Sequence, residues 1–210
     1  MGAWYLWRRA VCRAAKPNRA HEAVAALEAR LGDRFVLVTQ NVDGLHLRAG
    51  NTPERTWQIH GNIDAMRCFD ECTAALFPVP LDDAWEKDRK VGDEERRVLV
   101  CAHCGGRTRP HVLWFDESYD EARFRFESSL RAAASCETLV VVGTSGATNL
   151  PTQMCALAAR SGAKLLVVGP EETPFSDLAL GTGGTFLRGT AVEHVPGLCA
   201  RLGGASPDRG

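Results

Sequence analysis

The hydrophobic pattern of the chain predicts helices that alternate with buried strands. Continuous apolar runs predict strands at Phe35–Val38, Thr138–Val142 and Lys164–Val168, and a fourth strand at Thr185–Leu187. Apolar residues at helical spacing predict helices between them. One helix follows Asn18, a typical N-cap residue, and ends at Gly32. Another is predicted from Asp120 to about Ser135. This arrangement is typical of an α/β fold with a parallel sheet.

The first predicted helix has an apolar stripe at helical spacing, and Pro17 ends it. The stripe consists of Trp4, Trp7, Val11 and Ala14. Tyr5 and Arg8 are three residues apart and share a face beside the stripe. Spacing alone favours an amphipathic surface helix in which the tyrosine is incidental.

Hydrogen-bonding side chains follow the first predicted strand, at the edge where open α/β sheets bind their ligands. They are Thr39, Gln40, Asn41 and Asp43. His60 lies on a second short extended segment, and the ordinary pKa of histidine, about 6.5, suits a general base. Each feature also has a structural explanation, because such polar residues form turns and helix caps and a single histidine is usually a hydrogen-bonding residue.

Four of the eight cysteines form two close pairs. The pairs are Cys68-x3-Cys72 and Cys101-x2-Cys104, separated by residues 73–100. Two knuckles of this spacing are typical of a structural four-cysteine zinc site, which leaves no open position for water. Disulfides or unrelated thiols are the alternative. The remaining cysteines lie in apolar segments and are interpreted as small buried hydrophobic residues.

Composition and charge exclude several classes of function. With 210 residues and a net charge of -1, the chain can form one domain with a small satellite and has no basic face for nucleic acid. No apolar run approaches the roughly 18 residues of a membrane span, so a cytoplasmic protein without membrane partners is expected. Most of residues 82–97 are charged, with mixed signs, which predicts a solvated excursion, that is, a solvent-exposed loop.

The segment Thr39–His46 (TQNVDGLH), followed by Ala49-Gly50 and Ile59–Asn62 (IHGN), resembles the sirtuins, the NAD-dependent protein-lysine deacylases. Similarity extends from Tyr5 to about Leu202. The resemblance implies a Rossmann-like, NAD-binding parallel α/β domain at residues 1–62 and 111–210. A small inserted zinc-binding module at 63–110 would interrupt it. It also implies NAD as co-substrate, one structural zinc ion, and acyl-lysine proteins or peptides as partners.

The resemblance also assigns roles to individual residues. His60 would deprotonate a ribose hydroxyl, while Asn41 and Asp43 orient the ribose and a water or nicotinamide. The products would be free lysine, nicotinamide and O-acyl-ADP-ribose. The implied contacts to NAD are Gln40, Asn41, Val42, Asp43, Gly143, Thr144, Ser145 and Ala191. The implied zinc ligands are Cys68, Cys72, Cys101 and Cys104.

Two further matches concern the acyl-lysine substrate. The segment Val112, Leu113, Trp114 and Phe115 matches the residues that line the acyl-lysine tunnel in the family, although by itself it reads as a core strand. Tyr5 and Arg8 match a Tyr-x-x-Arg motif found in the bacterial and mitochondrial subclass that removes succinyl and malonyl groups. A guanidinium fork and a phenol suit the carboxylate of such an acyl group.

One family segment is not found in the sequence. Sirtuins begin with a Gly-Ala-Gly-x-Ser turn and a Pro-x-Phe-Arg loop, which seat the pyrophosphate and cover the nicotinamide. We therefore expect that the sequence is either a fragment or mis-started reading of a complete enzyme, or that of a degenerate homologue. A second hypothesis is a non-catalytic module that binds acyl-lysine or ADP-ribose. A zinc ribbon that binds nucleic acid is disfavoured by the near-zero net charge.

Overall fold

The computed structural model describes residues 2–204. Residue 1 of the predicted segment 1–62 and residues 205–210 of the predicted segment 111–210 therefore lie outside the described residues. Its helices are α1 (Ala3–Ala14), α2 (Arg19–Leu31), α3 (Leu45–Ala49), α4 (Asp93–Val98), α5 (Glu121–Phe124), α6 (Phe126–Ser135), α7 (Asn149–Arg160), α8 (Pro174–Gly181) and α9 (Ala191–Gly204). Its strands are β1 (Leu37–Thr39), β2 (Thr56–Gln58), β3 (Gly61–Cys68), β4 (Phe77–Pro78), β5 (Thr108–Val112), β6 (Thr138–Val142), β7 (Lys164–Gly169) and β8 (Thr185–Arg188). None of the helices in this described part is long and apolar enough to span a bilayer.

The chain divides into two compact units. The first comprises the described residues up to 16 together with 39–45 and 58–119. The second comprises 17–38, 46–57 and the described residues from 120 onward. The short strands β1 and β2 pair with each other.

The second unit contains the parallel sheet that the sequence predicts. Its strand order is β6-β7-β8, with both pairs parallel. The middle strand is buried from Leu165 to Val168 and supplies apolar side chains to the clusters on both sides. Helix α2 packs against α9 through Leu27, Val195 and Cys199. Asn18 caps α2, as predicted, by accepting from the backbone N–H groups of its first turn. The α/β fold class is thus confirmed.

Two helical details of this unit differ from the prediction. The helix predicted from Asp120 to Ser135 is broken at Arg125, which has a left-handed φ of 55°. The Glu121 carboxylate accepts from the backbone N–H of Ser128 at 2.9 Å and stabilises the restart as α6. Helix α8 was not predicted, yet Thr173 and Ser176 form a capping box at its start.

The first unit is built on an antiparallel sheet of order β4-β3-β5. Helix α1 packs on it, but the predicted apolar stripe is not its buried face. Trp4 and Val11 are 60% and 45% exposed, whereas Leu6 is buried against Met66. Sequence periodicity misleads here because a buried arginine, Arg9, takes a core position of the helix.

The charged segment at 82–97 is only partly the solvated excursion that its composition predicts. Trp85 is buried in the cluster that covers α1. Asp83 forms an ion pair with Arg9 at 3.0 Å, and Arg9 also pairs with Asp64 at 3.2 Å. Asp82 and Leu81 accept from Arg9 through their backbone carbonyls. The segment therefore anchors α1, because it supplies the partners that a buried guanidinium requires.

The beginning of β3 requires a glycine immediately after His60. Gly61 pairs with Val112 across β5 and has a φ of +85°. A Cβ atom at this position would lie 2.0 Å from the carbonyl oxygen of His111. The two backbones can approach this closely only without a side chain.

We expect Gly61→Ala to destabilise the protein by at least about 2 kcal/mol more than Gly162→Ala does. Gly162 is a matched control, since its φ is +82° and no atom lies within 4 Å of a Cβ there. Both variants carry the backbone strain, and only the first adds the clash with β5. Urea unfolding measures the difference, and equal losses of stability in the two variants would refute this account.

Candidate active site and metal centre

Backbone pairing brings the polar segment after β1 alongside His60, within the first unit. The N–H of Ile59 donates to the carbonyl of Thr39 at 3.0 Å, and the N–H of Ile63 donates to the carbonyl of Val42 at 2.9 Å. His60 lies between these two bonds. The predicted catalytic residues are therefore neighbours because of strand-like pairing, which does not depend on their side chains.

The surroundings of the His60 imidazole favour its neutral form. Burial lowers its pKa, and a hydrogen bond to the backbone of Gln40 acts in the opposite direction. Its Nε2 atom lies 2.7 Å from the hydroxyl of Tyr119. Sequence reasoning missed Tyr119, because no local pattern connects it with a histidine 59 residues earlier.

Two of the side chains that follow β1, Thr39 and Asp43, accept hydrogen bonds from the local backbone. The backbone N–H of Asn41 donates to Thr39 Oγ1 at 3.1 Å, and the Asn41 side chain is exposed. Asp43 accepts from the N–H of Leu45 at 2.9 Å, at the start of α3. This contact agrees with the interpretation of Asp43 as a helix-capping residue, and it fixes the orientation of the carboxylate.

The predicted acyl-lysine segment is hydrogen-bonded to the backbone of His60, the predicted base. Leu113 donates its backbone N–H to the carbonyl of His60 at 3.0 Å. Trp114 is half-buried, with the guanidinium of Arg109 3.5 Å above the ring, and Phe115 is fully exposed. The N–H of Trp114 donates to Glu117 at 2.8 Å. Because these amides are already paired, the segment offers mainly its side chains to a ligand.

A buried charge cluster, also missed by sequence reasoning, holds this segment in place. Glu117 accepts from Arg109 at 2.8 Å and from Arg67 at 3.1 Å, and both arginines are buried. Burial would raise the pKa of Glu117, but the hydrogen bonds from Arg109 and from the Trp114 backbone outweigh it and lower that pKa. The carboxylate therefore stays ionised and ties the loop after β5 to β3.

The two residues of the Tyr-x-x-Arg motif differ in their surroundings. Burial raises the pKa of Tyr5, while a hydrogen bond with Trp114 and the charge of Arg109 act to lower it. The contact with Trp114 places the phenol beside the predicted acyl-lysine segment. Arg8 is exposed, with its guanidinium 5.8 Å from the Trp4 ring. Within the described part of the chain, Arg8 has no carboxylate partner.

The remaining predicted NAD contacts lie in the second unit. Gly143, Thr144 and Ser145 follow β6 at the carboxyl edge of the parallel sheet, and α7 begins shortly after them. The N–H of Gly143 donates to the carbonyl of Val168 at 3.0 Å, and no atom beyond the chain neighbours lies within 4 Å of the place where a Cβ would be. Ala191 is the first residue of α9. An open turn at this edge, ahead of a helix N-terminus, fits a phosphate group.

The four paired cysteines converge in the first unit. Their sulfur atoms all lie within 4.8 Å of one another, with Cys68 and Cys104 at 3.7 Å and Cys72 and Cys101 at 3.6 Å. Tetrahedral Zn–S bonds of about 2.3 Å would separate the sulfurs by about 3.8 Å. The cluster is thus compatible with a structural zinc ion.

Backbone N–H groups donate to two of the sulfur atoms and favour their thiolate form, whereas hydrogen bonding with Cys104 raises the pKa of Cys72. His103 donates its backbone N–H to Cys101 Sγ at 3.4 Å, and Gly106 donates to Cys104 Sγ at 3.4 Å. Hydrogen bonding from the backbone of Cys104 lowers the pKa of Cys101 to about 7. By contrast, burial raises the pKa of Cys155 to about 12, as expected for a small core residue.

We expect Cys101→Ser to lose the zinc ion, from about one per chain to almost none, because three thiolates cannot close the tetrahedron. Elemental analysis of the purified protein measures the content. Cys136→Ser, a half-buried cysteine of the second unit, is the matched control and should retain the metal. A Cys101→Ser protein that still holds one zinc ion would show that the cluster is not the metal site.

Comparison with known proteins gives the family of the chain. Residues 1–149 match the model of the Sir2 family. An NAD-dependent protein deacylase of Leptospira interrogans is 35% identical over 201 residues, which are 95% of this chain and 73% of the relative. An NAD-dependent protein deacylase of Thermus thermophilus is 41% identical over 180 residues, which are 84% of this chain and 64% of the relative. A Sir2 homologue mutant in complex with ADP-ribose superposes with a TM-score of 0.77 at 30% identity, covering 95% of this chain and 72% of that one. The chain therefore belongs to the Sir2 family.

Proposed function

We infer that the chain is an NAD-dependent protein-lysine deacylase. The observation that carries this function is the position of His60. Its neighbours Ile59 and Ile63 pair with residues 39–42, its own backbone carbonyl accepts from Leu113, and burial lowers the pKa of its imidazole. The backbone of His60 therefore lies between the predicted ribose contacts and the predicted acyl-lysine segment. The relatives named above as NAD-dependent protein deacylases support the same conclusion.

The residues of the first unit supply proton transfer and orientation. NAD, when bound, supplies an electrophilic ribose carbon and nicotinamide as the leaving group. His60 takes a proton from a ribose hydroxyl, while Asn41 and Asp43 orient the ribose and Gln40 fixes the imidazole through its carbonyl. Trp114, held by Arg109 and Glu117, lies along the aliphatic lysine stem. One water molecule is consumed, and the products are free lysine, nicotinamide and O-acyl-ADP-ribose.

The remaining assignments are part of the same proposal. Val42 contacts NAD, Ala191 contacts its adenine through the backbone, and Gly143, Thr144 and Ser145 line its phosphate and ribose side. The open turn after β6 supports this placement. The zinc-binding module at 63–110, with its antiparallel sheet and four clustered cysteines, interrupts a Rossmann-like domain at 1–62 and 111–210.

The acyl group in this proposal is acidic. Tyr5 lies beside Trp114, and Arg8 is an exposed guanidinium one helical turn further on, without a carboxylate partner in the described residues. An unpaired guanidinium and a phenol on one helix face suit a succinyl or malonyl carboxylate.

The first experiment mixes the zinc-loaded protein with NAD and a succinyl-lysine peptide and follows free peptide by mass spectrometry. We expect turnover in the wild type and a loss of at least about 100-fold in His60→Ala, since general base catalysis contributes about that much or more. Zinc content and circular dichroism serve as controls for folding. A folded, zinc-loaded wild type without turnover would contradict the enzyme and favour a module that only binds acyl-lysine or ADP-ribose.

The pH dependence of the same reaction tests the state of the base. Because burial lowers the pKa of His60, its neutral form should persist as the pH falls below about 6.5, the ordinary value. The acidic limb of kcat/KM is therefore expected below pH 6.5, with more than half of the plateau rate remaining there. A limb above that pH would show that the imidazole is not desolvated in the active protein.

Arg8→Met tests the acyl preference. We expect kcat/KM for a succinyl-lysine peptide to fall by about 10- to 100-fold, the range for losing a charge-assisted hydrogen bond, while the value for an acetyl-lysine peptide stays within about twofold. Arg97→Met removes an exposed charge elsewhere in the same unit and should change neither. Equal losses for both peptides would contradict a role in recognising the carboxylate.

A further inference from the structure

Tyr119, which has no role in the reaction proposed above, is in contact with the base. Its hydroxyl lies 2.7 Å from Nε2 of His60. The two rings are stacked, with centroids 5.8 Å apart and an interplanar angle of 26°. Both residues are half-buried in the first unit, where the solvent screens this hydrogen bond only partly.

The direction of the hydrogen bond follows from the other partner of the imidazole. Burial lowers the pKa of His60, and the hydrogen bond to the Gln40 backbone acts to raise it. Only a carbonyl acceptor favours the protonated ring in this way, so the ring donates to Gln40. Since Nε2 faces Tyr119, the other nitrogen carries the proton of the neutral ring and Nε2 presents its lone pair. The phenol O–H of Tyr119 is therefore the donor.

The loop that carries Tyr119 is itself fixed. Two residues earlier, Glu117 accepts from Arg109 and from the Trp114 backbone, each at 2.8 Å. These contacts anchor the loop to the end of β5, whose next residue, Leu113, is bonded to the His60 carbonyl. The base and the phenol are therefore held by the same local framework.

We propose that Tyr119 is a positioning residue, whose hydroxyl donates to Nε2 and holds His60 in the tautomer and orientation that accept a proton there. The proposal rests on the role of His60 as the base. When a ribose hydroxyl arrives, it replaces the phenol as the donor to Nε2. The substrate proton passes to Nε2, while Tyr119 keeps its own proton. One hydrogen bond is exchanged for another, so the base stays oriented until the substrate is present.

The test compares Tyr119→Phe with the wild type, in zinc-loaded protein labelled with 15N-histidine. Two-bond 1H–15N correlation spectra report the tautomer and titration of His60, and His60→Ala identifies its signals. Among the described residues, the phenol is the side chain that bonds and stacks with the His60 ring, and no charged side chain there contributes to the shift of its pKa. Ser118→Ala, an exposed position in the same loop, is the control.

In Tyr119→Phe we expect the titration midpoint of His60 to rise and the signal of the second tautomer to grow, because the neutral form loses a hydrogen bond. The acidic limb of the rate profile should move up with it. We expect kcat/KM to fall by about threefold to tenfold while kcat changes little, because the bound ribose hydroxyl has already displaced the phenol; Ser118→Ala should match the wild type.

Two results would overturn the proposal. An unchanged titration and tautomer in Tyr119→Phe would show that the phenol does not orient the ring. An increase in kcat/KM would show that the hydroxyl blocks Nε2. The spectra need no turnover, so a protein that proves inactive would refute the deacylase function and still leave the role of Tyr119 decided.

Discussion

The site depends on a continuous set of backbone hydrogen bonds that runs from residues 39–42 through His60 to Leu113. Ile59 and Ile63 donate to the segment after β1, and the carbonyl of His60 accepts from the segment after β5. Gly61 lets β3 and β5 come together at this point, where any Cβ would meet a carbonyl oxygen. The functional side chains can therefore vary without disturbing the frame that brings them together.

Buried charges stabilise this frame in the first unit. Arg9 anchors α1 through ion pairs with Asp64 and Asp83. Glu117 forms ion pairs with both Arg67 and Arg109, next to Trp114. Removing the carboxylates would leave the buried guanidinium groups of Arg9, Arg67 and Arg109 without their compensating charges, which is strongly destabilising.

Local signals predicted much of the fold, whereas long-range pairs were missed. The ends of α2 follow from Asn18 and Gly32, and β6 and β7 follow from continuous apolar runs, because caps and burial act over a few residues. The break at Arg125 and the burial of Arg9 depend on partners that local sequence does not identify. The Sir2 motifs indicated where His60 stands, but the contact with Tyr119 joins residues 59 apart and has no local signature.

The central claim is that a neutral His60 acts as the base once nicotinamide has left. The most direct measurement follows two reactions of folded His60→Ala: exchange of labelled nicotinamide into NAD in the presence of acyl-lysine peptide, and formation of free lysine. The account predicts that exchange continues within about tenfold of the wild type while free lysine falls by at least about 100-fold. Equal loss of both reactions, or free lysine formed at the wild-type rate, would contradict it.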